Sequence, residues 1–564
     1  MDSKPRVFYI ALNMAGAVSA GAYTAGVMDF FIDALDTFYA ERVRQQAKFG
    51  SDYSKWEIPA HEVRLVALSG ASAGGMTSAM TAVSLCEDFT PARAPMPASA
   101  PNRLYKSWVE DIDISHLLGS DDLISATAPV TSVLDCTQID RIAADAIQVK
   151  RPRPEKRPYV CDGLRVILTL TNLSGVPYGI DAESGASDTQ TLYHADQATF
   201  EVRWDGAQPE SEALLLTAFS SDNWTALGDA AKATGAFPVA LAPRYLDRSA
   251  GLYNRRLWRI SVDNPHPAPD GCQCEAYALL KPNWTYSDGV PFRTLNVDGG
   301  ITNNNPFECA HQVLCEQDPV QGFHNQRSAA EADRAVISIA PFLSTPAFNL
   351  NPPADDLGSV LGSLLDTLVN QSRIQGENIK LTQDPNVFSR FAISPSIDDT
   401  TRDALASASL GAFGGFLAKE FRDHDYQLGR RNCQWFLKQH FALPADNVVM
   451  TQYAFSPQVL QRFGTSLPDG AKAIPVIPLL GELDPDVNPI PEIHVQIAQE
   501  RLLPIADAAA ARLKLVISRL INQPGSTWLR TLWLNAGWLF AENVVKRELL
   551  KKIGFDLGRQ NLIA

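Results

Sequence analysis

Gly70-Ala71-Ser72-Ala73-Gly74 is the stretch of this 564-residue sequence best suited to covalent chemistry. A serine hydroxyl acts as a nucleophile when it stands clear of its neighbours and its proton has a place to go. The G-x-S-x-G spacing meets the first need, because its glycines let the backbone turn sharply under strain and lift the Oγ above the edge of a sheet. The flanks suit that use. Val63-Arg64-Leu65-Val66-Ala67-Leu68 is a short run of β-formers, and Gly75 to Leu85 follow a small-residue helical pattern. The sequence therefore predicts a strand, a tight turn and a helix whose N-terminal amides face a developing oxyanion. The plainer alternative is an ordinary strand-to-helix turn.

Two other glycine-bounded turns follow apolar strands. Val7 to Leu12 lead into Gly16-Ala17-Val18-Ser19-Ala20-Gly21 and then into a helix with Tyr23, Val27, Phe30, Phe31 and Leu35 on its apolar positions. Such a turn leaves backbone amides free for an anion. A nucleotide loop is the rival reading, but neither a G-K-[ST] ending nor a G-x-G spacing is present. Thr294 to Val297 run into Asp298-Gly299-Gly300, where an aspartate closing a strand with an Asx-turn is the plain reading.

Together, and in this order, Gly16 to Val27, Gly70 to Gly74 and Asp298 to Pro306 resemble the patatin-like phospholipases. Asp298-Gly299-Gly300-Ile301-Thr302-Asn303-Asn304-Asn305-Pro306 is close to that family's D-G-G-x-x-x-N-N-P wording, and Ala230 to Pro238 look like its small-residue helix ending in Phe-Pro. The resemblance covers roughly residues 7–345. It implies an α/β fold, a three-layer α/β/α hydrolase core, with Ser72 as nucleophile, Asp298 as the second catalytic residue, and Ala17 and Val18 as backbone donors of the oxyanion hole. Gly16, Gly21, Gly70, Gly74, Gly299 and Gly300 would shape the three turns. It further implies hydrolysis of fatty-acyl esters of phospholipids, lysophospholipids or neutral glycerides through an acyl-enzyme, without a cofactor. One departure stands out. The family's turn reads G-G-G-x-[RK]-G, whereas Ala17, Val18 and Ala20 stand where two glycines and the basic residue are expected. The altered turn favours the rival class, a catalytically weak lipid-binding or regulatory protein.

Histidine is the residue a Ser-His-Asp hydrolase would require, and His311 and His494 both follow Ser72, but neither sits in a recognisable context. Asp423-His424-Asp425 reads as a helix N-cap cluster rather than a metal site.

The elements that must position these groups divide into α/β signals over residues 1–345, with surface insertions near 87–104 and 146–160, and a mainly helical region over 346–564. Helical spacing is expected over 357–380, 402–422, 428–442 and most of 493–522. Hydrophobic residues at 45% and charged residues at 20% describe a globular chain with ample core. A formal net charge of −14 argues against nucleic acid as a partner. Eight cysteines without paired C-x-x-C spacing read as reduced thiols in a cytoplasmic protein with no structural metal. Lys4 and Arg6 ahead of an apolar run could be taken for a secretory signal, but that run belongs to the expected core, and no uninterrupted stretch is long enough to span a membrane. Trp528, Trp533 and Trp538, followed by Lys546, Arg547, Lys551 and Lys552, suit either peripheral membrane contact or packing on the domain; packing is the expected fate.

Overall fold

A computed structural model of the chain describes residues 7–93, 102–125, 127–180, 189–209, 213–220, 222–261, 275–316, 326–342, 386–398, 403–451, 455–467, 470–522 and 542–564, with Ser363, Thr367, Ser372 and Asp384 between them. Its centre is a nine-stranded mixed sheet. The strands are β1 (Val7–Met14), β2 (Glu62–Gly70), β3 (Val160–Ile180), β4 (Thr189–Arg203), β5 (Leu214–Thr217), β6 (Arg244–Ser249), β7 (Pro291–Asp298), β8 (Arg334–Ile339) and β9 (Arg390–Ile393). β9, β8, β1, β2 and β3 lie side by side and parallel. β4 and β7 run antiparallel to β3, and β6 runs antiparallel to β7. This is an α/β architecture with a mostly parallel centre.

The parallel strands are buried on both faces, which is why β1 and β2 read as nearly unbroken apolar runs. Phe8, Ile10, Leu12, Leu65 and Leu68 face the layer holding helices α1 (Gly21–Phe49) and α2 (Ser72–Cys86). Ala11, Val66, Ile167 and Val336 face the opposite layer, which holds a later helix at Phe307–Cys315. In chain order the further helices are α3 (Thr137–Ala146), α4 (Trp224–Thr234), α5 (Phe307–Cys315), α6 (Lys419–Gln439), α7 (Leu502–Asn522) and α8 (Glu542–Arg559).

Four expectations change. First, the chain beyond residue 345 does not stand apart from the sheet. β9 pairs with β8, and α6 lies along α1, where a Cβ on Gly26 would fall 1.9 Å from the Tyr426 carbonyl oxygen and one on Gly429 2.2 Å from that of Tyr23. Second, helices expected over 402–422 and 428–442 are replaced by the single α6, with Asp423-His424-Asp425 inside it rather than at an N-cap. Asp425 faces inward and accepts from the N–H groups of Ala406 and Ser407 at 2.8 and 3.0 Å. Third, the 87–104 insertion is no surface excursion where it is described: Ala92, Asn102 and Leu104 are buried, and both the Ala92 N–H and the Asn102 amide donate to Asp29 of α1. Fourth, within the 146–160 connector Arg157 is buried, ends α2 by donating to the carbonyls of Ser84, Leu85 and Glu87, and pairs with Asp36 at 3.0 Å. Apart from Ser363, Thr367 and Ser372, the helix expected over 357–380 lies outside the described residues, as do the tryptophans at 528, 533 and 538.

Candidate active site

The carboxyl ends of β1, β2, β7 and β8 converge, since Met14 pairs with both Gly70 and Ile339, Gly70 with Leu168, and Asp298 with Leu170 two residues along β3. In open α/β sheets this edge is where ligands bind. Each of the three glycine-bounded turns leaves the sheet there.

Ser72 sits at the sharpest of them. β2 ends at Gly70, Ala71 is still extended, and Ser72 turns to φ 51° as the first residue of α2. A left-handed serine is uncommon and marks stored strain. The turn is this tight because Gly74 passes over β1, where a Cβ would lie 2.1 Å from the Met14 carbonyl oxygen. A Cβ on Gly70 would lie 2.5 Å from the Gly74 carbonyl oxygen. The Ser72 N–H donates to Thr234 Oγ1 on α4 at 2.9 Å, and Ser72 Oγ donates to Asp298 Oδ2 at 2.6 Å.

Asp298 is the last residue of β7. Its second oxygen, Oδ1, accepts from the Gly300 N–H at 2.7 Å, while the Asp298 and Gly299 N–H groups donate to the carbonyls of Ala236 and Thr234. Both members of the pair are buried, Ser72 at 7% exposure and Asp298 at 3%. Burial pushes the Asp298 carboxyl up to about 6, against the lowering effect of its hydrogen bonds from Ser72 and Gly300.

The turn after β1 closes the site from the third side. Gly16 donates its N–H to the Asn304 carbonyl at 3.0 Å, and a Cβ on Gly16 would meet Asn304 Oδ1 at 2.0 Å and Ser72 Cβ at 3.1 Å, so only glycine fits. Ala17 follows at φ −151°, and Val18 takes φ 49° despite its branched side chain. Neither the Ala17 nor the Val18 N–H donates to a backbone group of the described residues. Gly21 opens α1 directly beneath the Trp108 ring.

Sequence reasoning missed the polar residues that tie these turns together. Asn13 in β1 donates to Ser338 Oγ in β8 at 2.9 Å and to Asn305 Oδ1. Ser69 in β2 reaches Asn13 Oδ1 at 3.1 Å and the Pro306 carbonyl at 3.0 Å, while Thr169 and Thr171 of β3 donate to the carbonyls of Asn303 and Asp298. The Asn-Asn-Pro run thus buttresses all three turns. Its signal in the sequence is a polar residue set in the apolar run of each strand: Asn13, Ser69, Thr169 and Ser338.

His311 and His494 are elsewhere. His311 stacks on Phe307 within α5, and His494 is exposed. Among the described residues no group of three or more His, Cys, Asp or Glu side chains is arranged to hold a metal ion, and Asp425 is the partner of His424 Nδ1 at 2.9 Å.

From Ser72 an apolar cavity runs between α2, α3 and α4. Met76, Trp108, Ile139, Ile147, Phe237 and Phe416 are among its walls, and Ser72, Ser107 and Lys232 are the polar residues that reach it.

No protein-family model matches the chain. It is 33% identical over 585 residues to the uncharacterized protein y4iI of Sinorhizobium fredii (strain NBRC 101917 / NGR234), an alignment covering 96% of this chain and 80% of that one. This chain belongs to the same family as that Sinorhizobium protein.

Proposed function

We propose that this protein is a patatin-like lipid acyl hydrolase that cleaves carboxylic esters through a Ser72-Asp298 dyad. The reading rests on one observation above all: a strained, buried serine that lines an apolar cavity donates its hydroxyl proton at 2.6 Å to a buried carboxylate. The hydrogen bond fixes which proton moves. As Ser72 Oγ attacks the ester carbon, its proton passes to Asp298 Oδ2 and then to the departing alcohol, leaving an acyl-enzyme; the same carboxylate next takes a proton from water, whose oxygen attacks the acyl carbon, and returns that proton to Ser72 Oγ as the acyl–oxygen bond breaks and the acid leaves. Oδ1 stays bound to the Gly300 N–H throughout and holds the carboxylate in place. Negative charge on the tetrahedral oxygen falls between the Ala17 and Val18 amides and the N-terminus of α2.

A pocket with this apolar lining suits a fatty-acyl chain. Phospholipids, lysophospholipids and neutral glycerides share that chain, which makes them the substrate class. Left-handed Val18 supports the enzyme over a catalytically weak lipid-binding protein, because strain of this kind collects where amides are held ready for a ligand. A fluorophosphonate probe tests the reading: it is expected to label the full-length protein and to leave Ser72→Ala unlabelled. Equal labelling of both, or of neither, sinks it.

A further inference from the structure

Val18 carries the strain of the proposed oxyanion turn. At φ 49° a β-branched residue lies in the left-handed region, which glycine occupies freely and valine does not. Something outside the turn must hold it. Ser19, the next residue, is fully buried, and its hydroxyl makes two bonds to backbone nearly four hundred residues later: it donates to the Ala412 carbonyl and accepts from the Gly415 N–H at 3.0 Å.

That remote segment is braced in turn. Leu410, Gly411 and Ala412 are three successive left-handed residues at φ 54°, 62° and 74°. Gly415 lies so close that a Cβ would fall 2.7 Å from Ser19 Oγ. Buried Arg422 on α6 donates from Nη1 to the carbonyls of Gly415 and Phe416 at 3.0 and 3.3 Å, and pairs with Asp113 at 3.3 Å. On the far side the Leu410 N–H donates to Asp556 on α8 at 3.2 Å. The same segment sets Phe416 in the cavity wall.

We infer that Ser19 is a positioning residue, clamping the Ala17-Val18 turn to residues 412–415 so that the turn keeps a conformation its own side chains disfavour. This rests on the reading of Ser72 and Asp298 given above. Without the hydroxyl, the Ala412 carbonyl and the Gly415 N–H lose their partner inside the protein, and Val18 relaxes toward negative φ. That rotates the amides away from the oxyanion. Ser72, Asp298 and the walls that grip an acyl chain stay where they are.

The test is steady-state hydrolysis of a p-nitrophenyl ester by the full chain. Ser19→Ala is expected to lower kcat roughly 10- to 100-fold, less than the 10²–10³ typical of deleting a donor outright, with KM within about threefold. In a Val18→Gly background, whatever its own rate, the same substitution is expected to lower kcat less than about threefold, because glycine holds positive φ unaided. Should Ser19→Ala fail to fold, the double variant is expected to recover folded protein and turnover. Equal losses in the two backgrounds, or a Ser19→Ala enzyme within twofold of wild type, would overturn the inference and leave the dyad standing. A wild-type protein without Ser72-dependent hydrolysis would overturn both.

Discussion

Asp298 is a carboxylate asked to act as a base, and its ordinary value of 3.8 would make it a poor one. Burial raises it to about 6. Turnover needs the ionised form, so kcat/KM is expected to climb with pH through a single midpoint near 6, level off above about 7 and fall roughly tenfold for each unit below the midpoint. A profile flat from pH 4.5 to 8 would exclude Asp298 as the base. The same shift bears on stability, with a fixed sign. The folded value exceeds the unfolded one, so the contribution of the protonated group is fully present below about pH 4 and lost as pH rises through about 6. The ionised carboxylate then destabilises the fold by roughly 2–3 kcal/mol at most. Asp298→Asn should accordingly raise the melting temperature at pH 8 and change it little at pH 4, while removing nearly all hydrolysis. Ser72→Ala should remove as much, and the double variant should be scarcely worse, because the two side chains share one proton transfer. Additive losses in kcat would argue against the dyad.

Elements differ in how much of themselves they reveal locally. β1, β2 and the Ser72 elbow were legible because burial on both faces, β-branched runs and glycine turns are properties of consecutive residues. That Ser72, Asp298 and the β1 turn belong to one site came from the family resemblance instead, because the order of strands in a sheet is not a property of consecutive residues. α6 was not legible. Its Asp423-His424-Asp425 reads as a helix start because aspartate is a favoured N-cap, yet Asp425 serves Ala406 and Ser407, and Asp29 of α1 receives the Tyr426 hydroxyl at 2.8 Å and the Arg430 guanidinium. The partners of Asp29 lie nearly four hundred residues away in sequence. The crossing of α1 and α6 is equally long-range: Gly26 and Gly429 let the two backbones touch. Gly429→Ala would push a methyl into the Tyr23 carbonyl, and is expected to lower stability to urea by about 1–3 kcal/mol, the usual effect of overpacking. A neutral result would show that the helices lie further apart than this.

For the molecule as a whole, the question is what residues 346–564 do for a site whose side chains lie before them. They supply β9 at one edge of the sheet, α6 over α1, and the segment that holds Ser19 and lines the cavity. A chain ended at residue 345 should therefore be insoluble or unfolded rather than a smaller enzyme. The final helix gives the sharper test. Ile553, Leu557 and Leu562 are buried with Phe421, Ile497 and Leu502, the Ile497 N–H donates to the Leu562 carbonyl at 3.0 Å, and Lys546 pairs with Asp507 of α7. Lys551 and Lys552 stay exposed, and no helix among the described residues is long and apolar enough to cross a membrane. Ending the chain after Gln523 removes the buried Ile553, Leu557 and Leu562 side chains, worth roughly 1.5–3 kcal/mol each, and with them Asp556, the partner of the Leu410 N–H. Packing on the domain thus predicts a lowered melting temperature together with slower hydrolysis of a monomeric ester, as the brace on the Ser19 turn loosens. Membrane docking by this segment predicts something else: a stable truncated protein, fully active on the monomeric ester and impaired on vesicles alone. The net charge of −14 opposes approach to an anionic bilayer, and the contacts of α8 are with the protein, so the first outcome is the one expected.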